Sequence, residues 1–147
     1  MEQIQDFIDY YVNEGLSLIP VREFAEVIGG EEKGVKTPKE KSWKYAQQSR
    51  AAKETILQKL YAPNSAPAIV CGEVSGNLEV IDIDTKNWHG IDALYLQEVK
   101  SIYPELYAKL RIHRTPSGGC HILYKCTENT GKSQKLCKKN GAKEHAI

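Results

Sequence analysis

The stretch Leu78-Glu79-Val80-Ile81-Asp82-Ile83-Asp84 limits the fold of this chain more than any other. It is rich in β-branched residues and has the length of a strand. Residues two apart on a strand share a face, so Val80, Asp82 and Asp84 project one way while Glu79, Ile81 and Ile83 project the other. The isoleucine face has to be covered, and the flanking sequence offers helices to cover it. An α+β domain follows, with helices packed on a mainly antiparallel or mixed sheet.

The remaining elements are read from period and punctuation. Ile4, Phe7, Ile8 and Tyr11 form an apolar stripe that predicts a helix over Gln3–Asn13, closed by Gly15. Leu16–Val21 predicts a buried strand, with Pro20 at an edge or exit. Arg22–Lys44 carries little periodic apolar content and reads as a long loop. Ser49 is a fair cap for a helix bearing Ala52, Ile56, Leu57 and Leu60. Ala68–Cys71 and Leu78–Asp84 are expected to pair as a hairpin across Gly72–Asn77. Ile91, Leu94, Tyr95, Val99 and Ile102 predict a helix over Gly90–Tyr103, and Leu110–Arg114 and Cys120–Lys125 predict two strands around the turn Thr115–Gly119.

Length and charge bound the rest. At 147 residues, 1–147 fits a single domain, and no apolar run approaches the roughly 18 residues that cross a bilayer. The first residues carry no basic segment ahead of an apolar one, so a cytoplasmic protein with four reduced cysteines and no membrane partner is expected. From Lys109 onward nine Lys or Arg face two acids, net +7, whereas the first 108 residues are net −6. The basic, weakly structured segment 126–147 suits a polyanionic partner or a solvated surface.

Two same-face carboxylates a few ångströms apart raise each other's pKa unless a cation lies between them. Asp82 and Asp84 therefore suit a hard divalent ion; otherwise both sit solvated at the strand end or pair with Lys86. His121 opens a strand directly after Ser117-Gly118-Gly119-Cys120, whose glycines permit close approach of a ligand. Arg111, Arg114 and Lys125 make that hairpin cationic, although a hydrogen-bonded structural histidine is the plainer alternative. Cys120, His121, Cys126 and Cys137 lack the close Cys-x-x-Cys spacing of a zinc site, and neither a phosphate-loop nor a dinucleotide fingerprint is present. Trp43, beside Lys41 and Lys44, suits base stacking or the anchoring of its loop.

In order and spacing, Gly15–Val21, Lys36-Thr37-Pro38 with Trp43-Lys44, Val80–Asp84 and Thr115–Tyr124 resemble the primase-polymerase domain of the archaeo-eukaryotic primase superfamily, also described as the N-terminal domain of bifunctional DNA primase/polymerases. The resemblance covers about Ile4 to Tyr124. It implies an RRM-like catalytic sheet and a template-directed nucleotidyltransferase of DNA replication. Asp82 and Asp84 would bind Mg²⁺ or Mn²⁺, and His121 would contact the nucleoside triphosphate together with Ser117, Gly118, Gly119 and Arg114. Lys36, Trp43, Arg111 and Lys125 are the expected contacts to DNA template or primer. Relatives often carry Ser where Gly119 stands. Their third acid, on a strand after the histidine hairpin, has no counterpart here, since Glu128 and Glu144 lie in polar surroundings. The expectation is a C-terminally truncated piece of a larger replication protein, which in such families often includes a helicase region. The alternative is a non-catalytic module of the same fold that binds nucleotide or single-stranded nucleic acid.

Overall fold

The computed structural model describes residues 2–86, 88–128, 131–138 and 147, and of residues 2–4 the backbone alone. The basic residues Lys139 and Lys143, and Glu144, lie outside the described residues. Two units, Met1–Asn77 and Leu78–Ile147, each contain their own apolar clusters. The architecture is α+β, with four α-helices and small antiparallel sheets among the described residues. No helix among those residues is long and apolar enough to cross a membrane.

In the first unit, α1 (Glu2–Asn13) and α2 (Lys53–Leu60) pack on β1 (Ser17–Val21), which pairs antiparallel with β4 (Ala66–Val70). Ile8 is fully buried among Leu18, Ile56 and Leu60, with Tyr11 and Val12 beside it. Phe7, expected on the same stripe, is 60% exposed and stacks on Tyr11 instead. The buried face runs through Ile8, Tyr11 and Val12, which leaves Phe7 at its margin. Ala52, rather than Ser49, precedes the first turn of α2, and no side chain caps it.

Pro20 and Pro67 stand opposite each other in the β1–β4 ladder. At a non-hydrogen-bonded pair position the polar backbone groups point away from the partner strand, so two prolines there remove no bond between the strands. In keeping with this, the Pro20 carbonyl accepts the Lys39 N–H at 3.0 Å on the other side.

The expected loop Arg22–Lys44 contains a hairpin of β2 (Glu26–Ile28) and β3 (Glu31–Lys33). Gly29 and Gly30 join the strands with φ of 59° and 82°, the two consecutive positive values that a type I′ hairpin turn requires. Short strands with few apolar residues hid this element. Arg22, buried at its base, pairs with Glu26 at 2.6 Å and donates to the Pro38 carbonyl at 2.7 Å.

The second unit holds β5 (Leu78–Ile83), α3 (Ile91–Ile102), α4 (Pro104–Tyr107), β6 (Arg111–Arg114) and β7 (Cys120–Lys125). Its sheet has the order β5-β7-β6, antiparallel throughout. The expected hairpin between Ala68–Cys71 and Leu78–Asp84 does not form, because β4 pairs with β1 and β5 pairs with β7. Their link ties to β1: the buried Ser75 hydroxyl accepts the Ser17 N–H at 2.9 Å and donates to the Val70 carbonyl at 2.5 Å.

Ile83, Cys120 and Ile122 are fully buried and, with Ile91 and Leu96 of α3, form the core of this unit. Each such isoleucine contributes roughly 1.5–3 kcal/mol by burial. The buried side of α3 is turned from the expected stripe: Leu96 and Asp92 lie inside, while Leu94 and Ile102 are more than half exposed. Where the described chain resumes at Ile147, its carbonyl accepts the N–H groups of Leu136 and Cys137 at 2.8 and 3.1 Å.

Candidate functional site

Strand alternation sorts the second sheet into two faces. The side chains of Ile81, Ile83, Cys120, Ile122 and Ile112 meet the helix-covered core. Leu78, Val80 and Asp82 of β5, His121, Leu123 and Lys125 of β7, and Arg111 and His113 of β6 point to the opposite side.

The register brings Asp82 directly opposite His121, and His121 directly opposite His113. Asp82 and His121 lie near enough to interact, with Nε2 to Oδ1 at 3.4 Å, and their side chains are 70% and 43% exposed. The acid of one sequence motif and the histidine of the other thus share one solvent-facing row. Arg111 and Lys125 are exposed on the same side of the sheet.

Asp84 lies just past the end of β5 and is engaged locally. Its carboxylate accepts the Lys86 amide at 3.0 Å and pairs with the Lys86 ammonium at 2.9 Å. These two contacts, the ammonium first, hold its carboxyl below the usual range. This is the pairing with Lys86 that the sequence left open.

The Thr115–Gly119 turn lies against the chain that leaves β5. A Cβ on Gly118 would stand 3.6 Å from Thr85 Oγ1, and one on Gly119 only 2.1 Å from the Ile83 carbonyl oxygen. A serine at 119 has no room, which explains the glycine there. The Ser117 hydroxyl lies 3.1 Å from that of Thr115. The turn's amides are partly committed, since Gly118 donates its N–H to the Thr115 carbonyl at 3.0 Å and Thr115 donates its own to Gly119 at 3.0 Å.

Arg114 is opposite Cys120 and so belongs to the helix-covered face, away from His121. Its guanidinium pairs with Asp92 in the first turn of α3. Burial pushes the Asp92 carboxyl up, but Arg114 and the neighbouring amides outweigh it and leave the carboxyl lowered. Tyr124, on the same face as Arg114, donates to Glu79 at 2.9 Å; burial and that bond push its hydroxyl up to about 12.

In the first unit, Trp43 packs against the buried cluster of Ile19, Val21, Ala46 and Val70, as an anchor for its loop would. Lys36 is exposed at a left-handed backbone position, with φ 61°. Cys120 is buried while His121 faces the other way, so these neighbours do not serve one zinc ion, and none of the four cysteines is in a disulfide. Among the described residues no three His, Cys, Asp or Glu side chains group to hold a metal ion.

His113 is the site residue that sequence reasoning missed. The turn is centred on Ser117, and counting outward from it pairs position 113 with 121.

Compared with protein-family models, curated proteins and solved structures, the chain matches none at a significant level.

Proposed function

We propose that the second unit is the nucleotide-binding part of a template-directed nucleotidyltransferase of the primase-polymerase kind, built on an RRM-like sheet. The observation that carries this reading is the solvent-facing row in which Asp82 stands opposite His121 at 3.4 Å. Asp82 and Asp84 fit a hard ion by donor chemistry, because Mg²⁺ takes one or two carboxylates and fills its shell with water and phosphate oxygens. A trio of protein ligands is therefore not required. Asp84 reaches such an ion by releasing Lys86, whose side chain is 61% exposed. The ion, when bound, neutralises charge on the transferring phosphoryl group and the leaving pyrophosphate.

His121 donates an imidazole N–H to a phosphate oxygen and so orients the triphosphate beside Asp82. The Ser117 hydroxyl on the adjoining turn supplies a further donor. Arg111 and Lys125 attract template phosphates, a contribution that weakens as salt rises. Full-length protein is expected to incorporate nucleotides with Mn²⁺ or Mg²⁺, and Asp82→Ala with Asp84→Ala to abolish it. Undiminished incorporation by the double variant refutes the assignment.

The hold of Lys86 on Asp84 favours a second reading, a binding module without catalysis. Calorimetry separates the two. Such a module takes up single-stranded DNA with steep salt dependence and shows no metal-dependent binding of a nucleoside triphosphate.

A further inference from the structure

We infer that His113 is a second contact residue of this site, donating to the polyphosphate of a bound nucleotide in the position that the sequence offered to Arg114. The inference rests on the nucleotide-binding reading above and adds a residue and a moiety to it.

Strand β6 presents three basic side chains, Arg111, His113 and Arg114. Their directions differ. Arg114 stands opposite the buried Cys120 and is held by Asp92 of α3, so an anion on the exposed face does not meet it. His113 stands opposite His121, is exposed, and its side chain makes no hydrogen bond or ion pair among the described residues. Directly opposed residues on antiparallel strands have Cβ atoms about 5 Å apart. Two imidazoles at that separation can donate to neighbouring phosphoryl groups of one chain. Asp82 on the far side of His121 completes a row running from carboxylate to two N–H donors. An ion held by the carboxylate would neutralise charge on a polyphosphate that the two imidazoles hold.

The test is calorimetric titration of the full chain with dATP and Mn²⁺, and separately with inorganic tripolyphosphate and Mn²⁺. Loss of one charge-assisted donor is expected to weaken both ligands by about tenfold in His113→Ala. His113→Gln, which keeps an N–H donor, is expected to restore part of the loss. Arg114→Lys is expected to leave both affinities within about twofold while lowering the thermal midpoint. His113→Ala changes an exposed side chain, and its thermal midpoint, measured alongside, should match wild type. Wild-type binding with unaltered affinity in His113→Ala overturns the inference and leaves the nucleotide-binding reading standing. A loss in Arg114→Lys equal to that in His113→Ala also overturns it. Absence of metal-dependent dATP binding by wild type overturns both.

Discussion

Gly119→Ala places one methyl group where the backbone of β5 already lies. The added Cβ would sit 2.1 Å from the Ile83 carbonyl oxygen and 3.2 Å from its carbon. Real Cβ atoms essentially never show such a contact under 3.0 Å, so the two strands must part by roughly 1 Å. They cannot part freely. Ile83 is registered against Cys120, the next residue, and both are fully buried. Overpacking of this kind costs about 1–3 kcal/mol, and contact with backbone instead of a flexible side chain puts Gly119 at the upper end. The reduced freedom of the unfolded chain offsets this by about 0.4–1 kcal/mol, leaving a net loss of roughly 2 kcal/mol. For a chain of this length that is a fall in thermal midpoint of about 4–8 °C.

Urea unfolding followed by circular dichroism measures the loss directly, and Gly30→Ala serves as a contrast. Gly30 has φ of 82° and nothing within 4 Å of where an alanine methyl would stand, so only the left-handed backbone penalty of about 1–2 kcal/mol applies. Gly119 has no such φ, and its penalty is purely one of space. Stability of Gly119→Ala within about 0.5 kcal/mol of wild type would refute the steric account. It would also remove the reason given for glycine at this position.

Two further outcomes concern buried polar groups. Ser75→Ala leaves the buried Ser17 N–H without its acceptor and is expected to cost about 1–3 kcal/mol, read from the urea midpoint. Asp92→Asn removes a carboxylate whose folded-state pKa is lowered. A lowered carboxyl contributes stability that is present above its unfolded pKa and lost as pH falls through the folded one. The variant should therefore lose more thermal stability at pH 7 than at pH 3, and equal losses at both would show that the Arg114 pair contributes nothing.

The histidine hairpin was legible because its information is local. Alternation in Arg111–Arg114 and Cys120–Lys125, with turn residues between, defines both strands and the position of His121. The β2–β3 hairpin was not, because three-residue strands of mostly charged residues carry too little apolar period to register. Its one signal was Gly29-Gly30. On α1 and α3 the helices fall where expected, yet Phe7, Leu94 and Ile102 are exposed and Leu96 is buried. Helical spacing marks an apolar face only to within a residue or so, and the neighbouring strand decides which part of it is covered.

Sequence alone was enough for the α+β composition, the two faces of Leu78–Ile83, and the presence of one acid motif and one histidine motif on separate strands. Those properties follow from relations between residues two to four apart. Packing in three dimensions was needed to pair β5 with β7 and not with β4, because a strand has two hydrogen-bonding edges and its sequence does not say what meets them. That choice sets Asp82 opposite His121. It also sends Arg114 to Asp92, since a charged side chain is committed by whatever packing brings within reach, and it leaves His113 facing solvent beside the row.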